Sequence, residues 1–232
     1  MNGHSYPHLL PAVQEIAALP AAERMAKMDA HCWIGYPAAQ TAINRLESLL
    51  SQSPALRPTN MLIVGPSNNG KSMIAERLRR THPPSAFGDG SKDIVPIVIM
   101  QMPASPSIRR FYSTLLSAMG SPVSTYGSVD VREQLALRII RELGVRLLII
   151  DEIHNMLVGR SNEQREFLNV LRFLGNELRI PLACLGTREA YLAILSDDQL
   201  ENRFEPKRSG HRDTSVLATK WARRAVTSQN RT

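Results

Sequence analysis

The segment that most constrains this chain is residues 65–72, which match the pattern G-x-x-x-x-G-K-[ST]. The apolar run Met61–Val64 precedes it and has the character of a strand buried on both faces of a parallel sheet. A helical pattern follows, from about Gly70 to Arg80. A glycine-rich turn between a strand and a helix gathers main-chain N–H groups around a phosphate at the helix N-terminus. Residues 65–72 therefore predict a phosphate-binding loop in an α/β fold.

Each position of this loop has a chemical reason. Gly65 and Gly70 allow main-chain torsions that bring several N–H groups round one phosphate. Lys71 is expected to reach the β- and γ-phosphates of a nucleotide, and the Ser72 hydroxyl is expected to bind Mg²⁺. A chance glycine-rich turn is the alternative. The predicted nucleotide-binding residues are Gly65, Pro66, Ser67, Asn68, Asn69, Gly70, Lys71 and Ser72.

Another strand pattern, Leu147–Ile150, ends in two carboxylates, Asp151 and Glu152. Ligands of open parallel sheets bind at the carboxyl ends of the strands. Asp151 is expected to hold Mg²⁺ through its water shell, and Glu152 to activate the attacking water as general base. A helix N-terminus that favours acidic residues would explain the same pair without catalysis. His154 follows closely and is interpreted as a group behind the site or at the surface rather than as a ligand.

Two other predicted strands also end in polar side chains. Thr187 follows the strand Pro181–Gly186, where its hydroxyl could sense the γ-phosphate and hold the lytic water, or could simply cap the next helix. Gln101 follows the strand Ile94–Met100 and could orient Glu152, with packing of the following loop as the alternative.

Arg203 is a candidate for contact with a neighbouring subunit. It lies at the end of a short helix predicted from Asp197, and it could reach the neighbour's γ-phosphate as an arginine finger. The alternative is a surface salt bridge with Glu201 or Glu205, which would contribute little to stability.

Arg109 and Arg110 are candidates for contact with DNA. They open the helix predicted over Ser107–Met119 and, in a ring or filament, could follow a phosphate backbone. Two adjacent arginines on a solvated surface are the alternative. Phe111 and Tyr112 beside them are predicted to lie in the core rather than to stack on bases.

Strand and helix patterns alternate along the chain, which predicts an α/β fold around a parallel sheet flanked by helices. Helical patterns also precede the first strand, over residues 12–30 with an interruption near Pro20, and over Ala38–Ser51. Two later helices carry start signals: a D-x-x-E pattern at Asp130, and a capping box of Ser161 and Gln164. We predict three parts, which are an N-terminal helical region over residues 1–55, the α/β core over residues 56–206 and a basic tail over residues 207–232.

The basic character of the chain is concentrated in that tail. Of the net charge of +7, six units fall in residues 207–232, which hold seven basic residues and one acid, Asp213. Such a tail is either a solvated terminus or an arm that binds phosphates without sequence preference. The charge of the chain as a whole is therefore weak support for nucleic-acid binding by its α/β core.

Composition excludes several function classes. The apolar runs are far shorter than the roughly 20 residues of a transmembrane helix. The N-terminus lacks the pattern of a signal peptide. Cys32 and Cys184 are too few and too far apart for a disulfide framework or a zinc site. The chain is therefore expected in the cytoplasm, with no membrane partner.

The residues described above resemble the AAA+ ATPases of transposition modules, and most closely the TniB family. The resemblance rests on the phosphate-binding loop with its preceding strand and on three further stretches, which are Trp33–Pro37, Leu148–Asn155 and Pro181–Glu189 together with residues 201–206. It covers about residues 5–206.

The resemblance implies a P-loop NTPase of the AAA+ class that binds ATP and Mg²⁺ and hydrolyses ATP. It implies a homo-oligomer, as a ring or filament, that assembles on double-stranded DNA without sequence specificity. The implied partners are a DDE transposase of the same element, which this protein would recruit or activate, and a target-selection protein of the TniQ type. The resemblance implies site roles for Lys71, Ser72, Asp151 and Glu152 by direct motif match. It also implies roles for Arg203 and Thr187, and for Ile34 and Tyr36 by position as neighbours of the adenine.

The chain departs from this family after Pro206. The family continues with another strand beside Met61–Val64 and with a small helical lid, and residues 207–232 match neither. We therefore expect a truncated and impaired form that lacks the lid. Its first strand is expected to have an open edge, which favours aggregation.

Two alternative functions remain open from the sequence. A helicase loader or initiator of the AAA+ class would share the loop, the acid pair and the arginine. A non-catalytic remnant that binds the transposase, and so inhibits transposition, would fit a chain without a lid. Small-molecule kinases share the loop but usually lack the Asp–Glu pair.

Overall fold

The computed structural model describes residues 7, 11–29, 33, 35–85, 93–105, 107–121, 127–197, 200 and 204–205. The chain forms two compact units, one ending at Tyr36 and the other beginning at Pro37. Among the described residues, no helix combines the length and apolar character needed to cross a membrane.

The first unit contains the helices α1 (Pro11–Ala17) and α2 (Ala21–Asp29). Pro20 lies between them, as the interruption of the helical pattern predicts, because a proline disfavours helical torsions in the residue before it. The Arg24 guanidinium donates a hydrogen bond to the Ala17 carbonyl across this break at 3.4 Å.

The second unit is an α/β domain in which strands and helices alternate. Its elements are α3 (Pro37–Leu50), β1 (Asn60–Val64), α4 (Lys71–Thr81), β2 (Ile97–Gln101), α5 (Ile108–Ala118), α6 (Val129–Glu142), β3 (Leu147–Asp151), a 3₁₀ turn (Ile153–Leu157), α7 (Ser161–Leu178), β4 (Leu182–Gly186), α8 (Arg188–Leu195) and β5 (Phe204–Glu205). Helix α3 belongs to this unit because its apolar face packs against β1 and α4. The boundary between the compact units therefore lies before α3, whereas the predicted helical region extends to residue 55.

The sheet has the strand order β2-β3-β4-β1-β5, and every neighbouring pair is parallel. The α/β fold predicted from the alternating patterns is therefore confirmed. Met61 of β1 lies opposite Ala183 of β4, and Gln101 of β2 lies opposite Asp151 of β3. Because all strands run in one direction, β1, β2, β3 and β4 deliver their carboxyl ends to one edge of the sheet.

The core is built from strands buried on both faces. All residues of β3 and β4 are buried, as continuous apolar runs predict for a parallel sheet covered by helices. On one face, a cluster joins alternate residues of β2, β3 and β4 to the apolar faces of α5, α6 and α7. Phe111 and Tyr112 of α5 are fully buried there, which confirms that they are core residues.

Some predicted element starts differ from the structure. The strand predicted from Ile94 begins at Ile97, since Pro96 lacks an N–H for the ladder, and Ile94 instead forms an isolated antiparallel bridge with Ser85. Helix α6 is capped by Ser128, which accepts the Val131 N–H at 3.3 Å, so the D-x-x-E start at Asp130 is wrong.

The predicted capping box of Ser161 and Gln164 is also wrong, by one residue. Arg160 occupies the N-cap of α7, and the Glu163 carboxylate accepts its N–H at 3.1 Å. The Gln164 amide donates to the Leu157 carbonyl at 3.0 Å instead. Several polar residues precede the apolar pattern here, and the pattern alone does not distinguish which of them ends the loop.

We expected the outer edge of β1 to be open, and this expectation is wrong for its first two residues. Phe204 and Glu205 form β5 and pair with Asn60 and Met61. Phe204 is 4% exposed, so this short strand is joined to the core as well as to the sheet edge. The predicted basic tail, together with the loss of the helical lid, concerns residues outside the described part of the chain.

Candidate nucleotide site

The phosphate-binding loop starts and ends on fixed main-chain geometry. The Gly65 N–H donates to the Gly186 carbonyl at 3.1 Å, which ties the end of β1 to the end of β4. Gly70, at the N-cap of α4, has φ of +75°, a torsion that glycine adopts without the steric cost that a Cβ brings. Asn68 also has positive φ, +59°, and asparagine is among the residues that tolerate it best. The left-handed torsions of the loop are therefore at Gly70 and Asn68, whereas Gly65 does not have a positive φ.

Lys71 is buried inside this turn. Its side chain is 5% exposed, and its ammonium donates hydrogen bonds to the carbonyls of Gly65 at 3.0 Å and Pro66 at 2.7 Å. A buried cation needs such partners, because an unpaired charge is costly away from water. The arrangement holds a positive charge against the loop whose N–H groups would surround a phosphate.

Ser72 and Asp151 meet across 79 positions of sequence. The Ser72 hydroxyl donates to one Asp151 carboxylate oxygen at 2.5 Å. The other oxygen accepts the Glu152 N–H at 2.8 Å, and the Asp151 carbonyl accepts the Met102 N–H at 2.8 Å. Asp151 is 8% exposed. The structure thus brings together the two residues predicted to bind Mg²⁺.

This pair suits Mg²⁺. A hydroxyl and a carboxylate supply hard oxygen ligands, and Mg²⁺ is usually bound by few side chains together with substrate phosphates and water. Within the described ranges, no group of three His, Cys, Asp or Glu residues could hold a metal ion on its own. A magnesium ion at this pair would take its remaining ligands from water and phosphate oxygens.

Glu152 has an unusual main chain. Its φ of +53° and ψ of +36° lie in the left-handed region, which a non-glycine residue enters at a cost of about 1–2 kcal/mol. Left-handed residues of this kind are concentrated at functional sites. Glu152 directly follows β3 and is the N-cap of the 3₁₀ turn Ile153–Leu157.

The Glu152 carboxylate is paired with His154. The His154 Nε2 lies 3.1 Å from the nearer carboxylate oxygen, and both side chains are partly exposed. His154 is thus a group behind the predicted base, one of the two interpretations that the sequence left open. The sequence does not predict this contact, because it depends on the left-handed main chain of Glu152 at the start of the 3₁₀ turn.

Gln101 does not make the contact with Glu152 that was one of the two alternatives left open by the sequence. It lies opposite Asp151 in the sheet, but its side chain is exposed, and among the described residues it forms no hydrogen bond with Glu152. Asn155 provides an unpredicted link instead, since its amide donates to the Met102 carbonyl at 2.9 Å. This bond ties the 3₁₀ turn to the segment after β2.

Thr187 occupies the N-cap position of α8 without capping it through its side chain. The Thr187 side chain is the largest cause of a lowered Glu189 pKa. The main-chain N–H of Glu189 contributes next, and the nearby His154 and Arg188 add smaller effects. The predicted role of Thr187 as a γ-phosphate sensor remains a prediction.

The remaining predicted residues lie elsewhere. Ile34 and Arg203 are outside the described residues, and Tyr36 belongs to the first compact unit. Arg109 and Arg110 lie exposed in the first turn of α5. The Arg110 guanidinium donates to the Ser105 carbonyl at 3.0 Å.

A cavity of about 590 Å³ lies beside the Ser72–Asp151 pair. Ser72 and Asp151 line it together with Glu76 and Arg79 of α4 and apolar residues of β2. The Arg79 hydrogen bond is the largest cause that lowers the pKa of Glu76, to about 2, so this carboxylate is ionised at neutral pH.

Comparisons with known proteins agree with this geometry. The model of the family described as bacterial TniB protein matches residues 24–211. A comparison with curated proteins gave no significant match.

Two solved structures are similar in fold. Cdc6p from Pyrobaculum aerophilum superposes with a TM-score of 0.51 at 17% identity, over 76% of this chain and 46% of that one. The Orc1 protein of Aeropyrum pernix, solved in complex with DNA, gives 0.49 at 18% identity, over 82% and 50%. This chain therefore spans about half the length of these proteins. The fold is that of a P-loop ATPase of the AAA+ class. Because the family model covers most of the chain, the chain belongs to the TniB family.

Proposed function

We propose that this protein is an ATP-binding and ATP-hydrolysing regulator of DNA transposition. It assembles on target DNA as a homo-oligomer and recruits or activates a DDE transposase, with a target-selection protein of the TniQ type as a further partner. Membership of the TniB family supports the transposition role.

The observation that carries the ATPase part is the contact between Ser72 and Asp151. It joins the phosphate-binding loop to the end of β3 at 2.5 Å and leaves Glu152 as the next residue. A phosphate-binding loop alone is compatible with many nucleotide-binding functions. A metal-binding pair beside a further carboxylate is what hydrolysis requires in addition.

The roles of the residues follow from this arrangement. Lys71 neutralises charge on the β- and γ-phosphates, while Ser72 and Asp151 hold Mg²⁺, which stabilises negative charge on the phosphate oxygens when bound. Glu152 accepts a proton from water as the water oxygen bonds to the γ-phosphorus. The bond between that phosphorus and the β,γ-bridging oxygen breaks, and its electron pair leaves with ADP.

Other predicted residues complete the site in this proposal. Thr187 senses the γ-phosphate at the end of β4, and Ile34 and Tyr36 flank the adenine. Arg203 reaches the nucleotide of a neighbouring subunit as an arginine finger. Arg109 and Arg110 contact the DNA backbone, since phosphate contacts by arginine give affinity without sequence preference.

Sedimentation with double-stranded DNA tests the assembly. The wild-type chain is expected to co-sediment with DNA when Mg²⁺ and a non-hydrolysable ATP analogue are present, and much less without nucleotide. Lys71→Ala is the matched control and should lose this dependence. Joint replacement of Arg109 and Arg110 by alanine should weaken binding to all sequences and reduce its salt dependence.

The opposite result identifies the non-catalytic alternative. If the nucleotide changes neither DNA binding nor assembly, and the chain still binds a transposase, the protein is an interaction module rather than a regulator driven by ATP.

A further inference from the structure

We propose that His154 is a positioning residue for the general base: its Nε2 lies 3.1 Å from one oxygen of the Glu152 carboxylate, and a hydrogen bond formed across this contact holds the carboxylate so that the other oxygen stays free to take the proton of the attacking water. This inference rests on the ATP hydrolysis proposed above. It concerns a residue outside the phosphate-binding loop and the acid pair.

The first step concerns the freedom of Glu152. A glutamate side chain has three rotatable bonds, and fixing them costs up to about 2 kcal/mol. Asp151 cannot fix it, because its carboxylate oxygens are engaged by the Ser72 hydroxyl and the Glu152 N–H. Gln101 does not fix it either, as described above. Among the described residues, this carboxylate contacts the His154 Nε2, at 3.1 Å.

The second step concerns the rigidity of His154. Its turn is packed closely against the end of β4, since a Cβ placed on Gly186 would lie 2.6 Å from the Ile153 side chain and 3.5 Å from the His154 main-chain nitrogen. Asn155 ties the other side of the turn to the Met102 carbonyl. The segment that carries the imidazole is therefore held in place on two sides. It packs against the end of β4, and it is hydrogen-bonded to the segment after β2.

The third step concerns the direction of the hydrogen bond. The His154 Nδ1 is buried and, among the residues that the structure describes, has no hydrogen-bond partner. Buried N–H groups are rarely left unpaired, so the tautomer with its proton on Nε2 fits best. Nε2 then donates to one Glu152 oxygen and leaves the second oxygen as the acceptor for water.

The fourth step links His154 to the end of β4. On α8, Thr187 is the largest cause of a lowered Glu189 pKa, and the nearby His154 contributes a smaller electrostatic effect. His154 thus lies near two carboxylates, those of Glu152 and Glu189.

The test uses steady-state ATP hydrolysis by the full chain, with nucleotide affinity and thermal unfolding measured for each variant. His154→Ala is expected to lower kcat about tenfold, a part of the roughly 10²–10⁴-fold that a general base contributes. KM and the Kd of an ATP analogue should stay within about twofold, because the phosphate-binding loop is untouched. His154→Phe should behave alike, since it fills the space but donates no hydrogen bond.

Two further variants separate positioning from packing. In His154→Gln the side-chain amide can donate at a reach similar to that of Nε2, so most of kcat should return. In a Glu152→Gln background, His154→Ala should cause no further loss, because His154 acts through Glu152.

The outcomes are distinguishable. If the wild-type chain hydrolyses ATP no faster than Glu152→Gln, the proposed function fails and this inference with it. If the wild type is active and His154→Phe and His154→Ala keep its kcat, the inference alone is wrong. An equal loss of kcat in His154→Gln and His154→Ala would also contradict it, because packing rather than the hydrogen bond would then matter.

Discussion

At the scale of single residues, close approach decides which side chains the site tolerates. Gly186 ends β4, accepts the Gly65 N–H and lies under the 3₁₀ turn that carries His154. Its φ is not in the left-handed region, so the reason for glycine is space rather than main-chain torsion. Glu152 is the opposite case, since its main chain is left-handed although it is not glycine.

We predict that Gly186→Ala destabilises the protein by about 1–3 kcal/mol, the usual cost of overpacking. The new Cβ would lie 2.6 Å from the Ile153 Cγ2, so the Ile153 side chain or the turn that carries it must shift. Urea unfolding measures the free energy, and ATP hydrolysis should fall as well. Ile153→Ala removes that methyl group, so the double variant should be less unstable than the sum of the two single variants. Simple additivity would show that the close contact is not the cause.

Cys184 gives a prediction that depends on pH. It is fully buried in β4, and burial raises the pKa of its thiol from 9.0 to about 12. The unfolded thiol ionises first as pH rises, so the free energy of unfolding contributed by this group falls between about pH 9 and about pH 12. Unfolding at a series of pH values should show a steeper decline above pH 9 for the wild type than for Cys184→Ala.

Thiol labelling provides a second measurement. In a Cys32→Ser variant, Cys184 is the single remaining cysteine. It should react with a thiol reagent at pH 8 only after unfolding, because the reactive thiolate is suppressed and the side chain is inaccessible. Rapid labelling of the folded chain would contradict the burial of β4.

At the scale of elements, short-range links join helices that the sheet alone does not hold. The Arg172 guanidinium of α7 bonds to one Asp197 oxygen at 2.5 Å, and the other oxygen accepts the Leu200 N–H at 3.0 Å. The carboxylate is 18% exposed and Arg172 is 24% exposed, so solvent screens this pair less than a surface pair. Asp197 therefore connects α7 with the chain that follows α8.

We predict that Asp197→Ala lowers the free energy of unfolding by about 2 kcal/mol, the usual range for charged hydrogen bonds. The matched control is Arg138→Ala, which breaks an exposed pair with Glu142 within α6. That pair is exposed to solvent and should contribute much less to stability. Equal effects in chemical denaturation would mean that Asp197 is no more than a surface residue.

Strand β5 gives another test at this scale. Phe204→Ala should destabilise the protein by about 3–5 kcal/mol, the cost of emptying a buried aromatic site. It should also favour aggregation, because the start of β1 loses its neighbour. Leu192→Ala, at a side chain 55% exposed on α8, is the control and should change stability by less than about 0.5 kcal/mol. An intact midpoint in Phe204→Ala would show that β5 does not cover this edge.

The sequence predicts elements well where hydrophobic burial alone defines them. The strands β1, β3 and β4 are continuous apolar runs, and they lie within two residues of their predicted bounds. Helix starts are less predictable. Ser128 and Arg160 are the N-caps of α6 and α7, whereas the sequence patterns placed these starts at Asp130 and Ser161. A strand of two residues, such as β5, carries no periodic signal at all.

The site shows the same division. A local motif specifies the loop and its helix, and an apolar strand that ends in acids specifies Asp151 and Glu152. The contact of Glu152 with His154 depends on a left-handed residue followed by a 3₁₀ turn, and neither has a strong signature in sequence. The interaction of His154 with Glu189 depends in addition on the packing of α8.

At the scale of the whole molecule, the TniB match and the AAA+ fold describe the same unit. The family model covers residues 24–211, and the sheet with its site lies within residues 60–205. The domain holds together around strands buried on both faces, and the site lies at the edge where four of these strands end. We propose that this domain assembles on DNA and acts on a transposase.

The most direct test of the central proposal is the rate of phosphate release from ATP by the full chain with Mg²⁺, in the presence and absence of double-stranded DNA. We predict hydrolysis that requires Mg²⁺. Glu152→Gln should lower it about 10²-fold or more while the chain still binds nucleotide, and Lys71→Ala should lose nucleotide binding. Equal rates in the wild type and Glu152→Gln, with or without DNA, would contradict the assignment of this site as an ATPase centre.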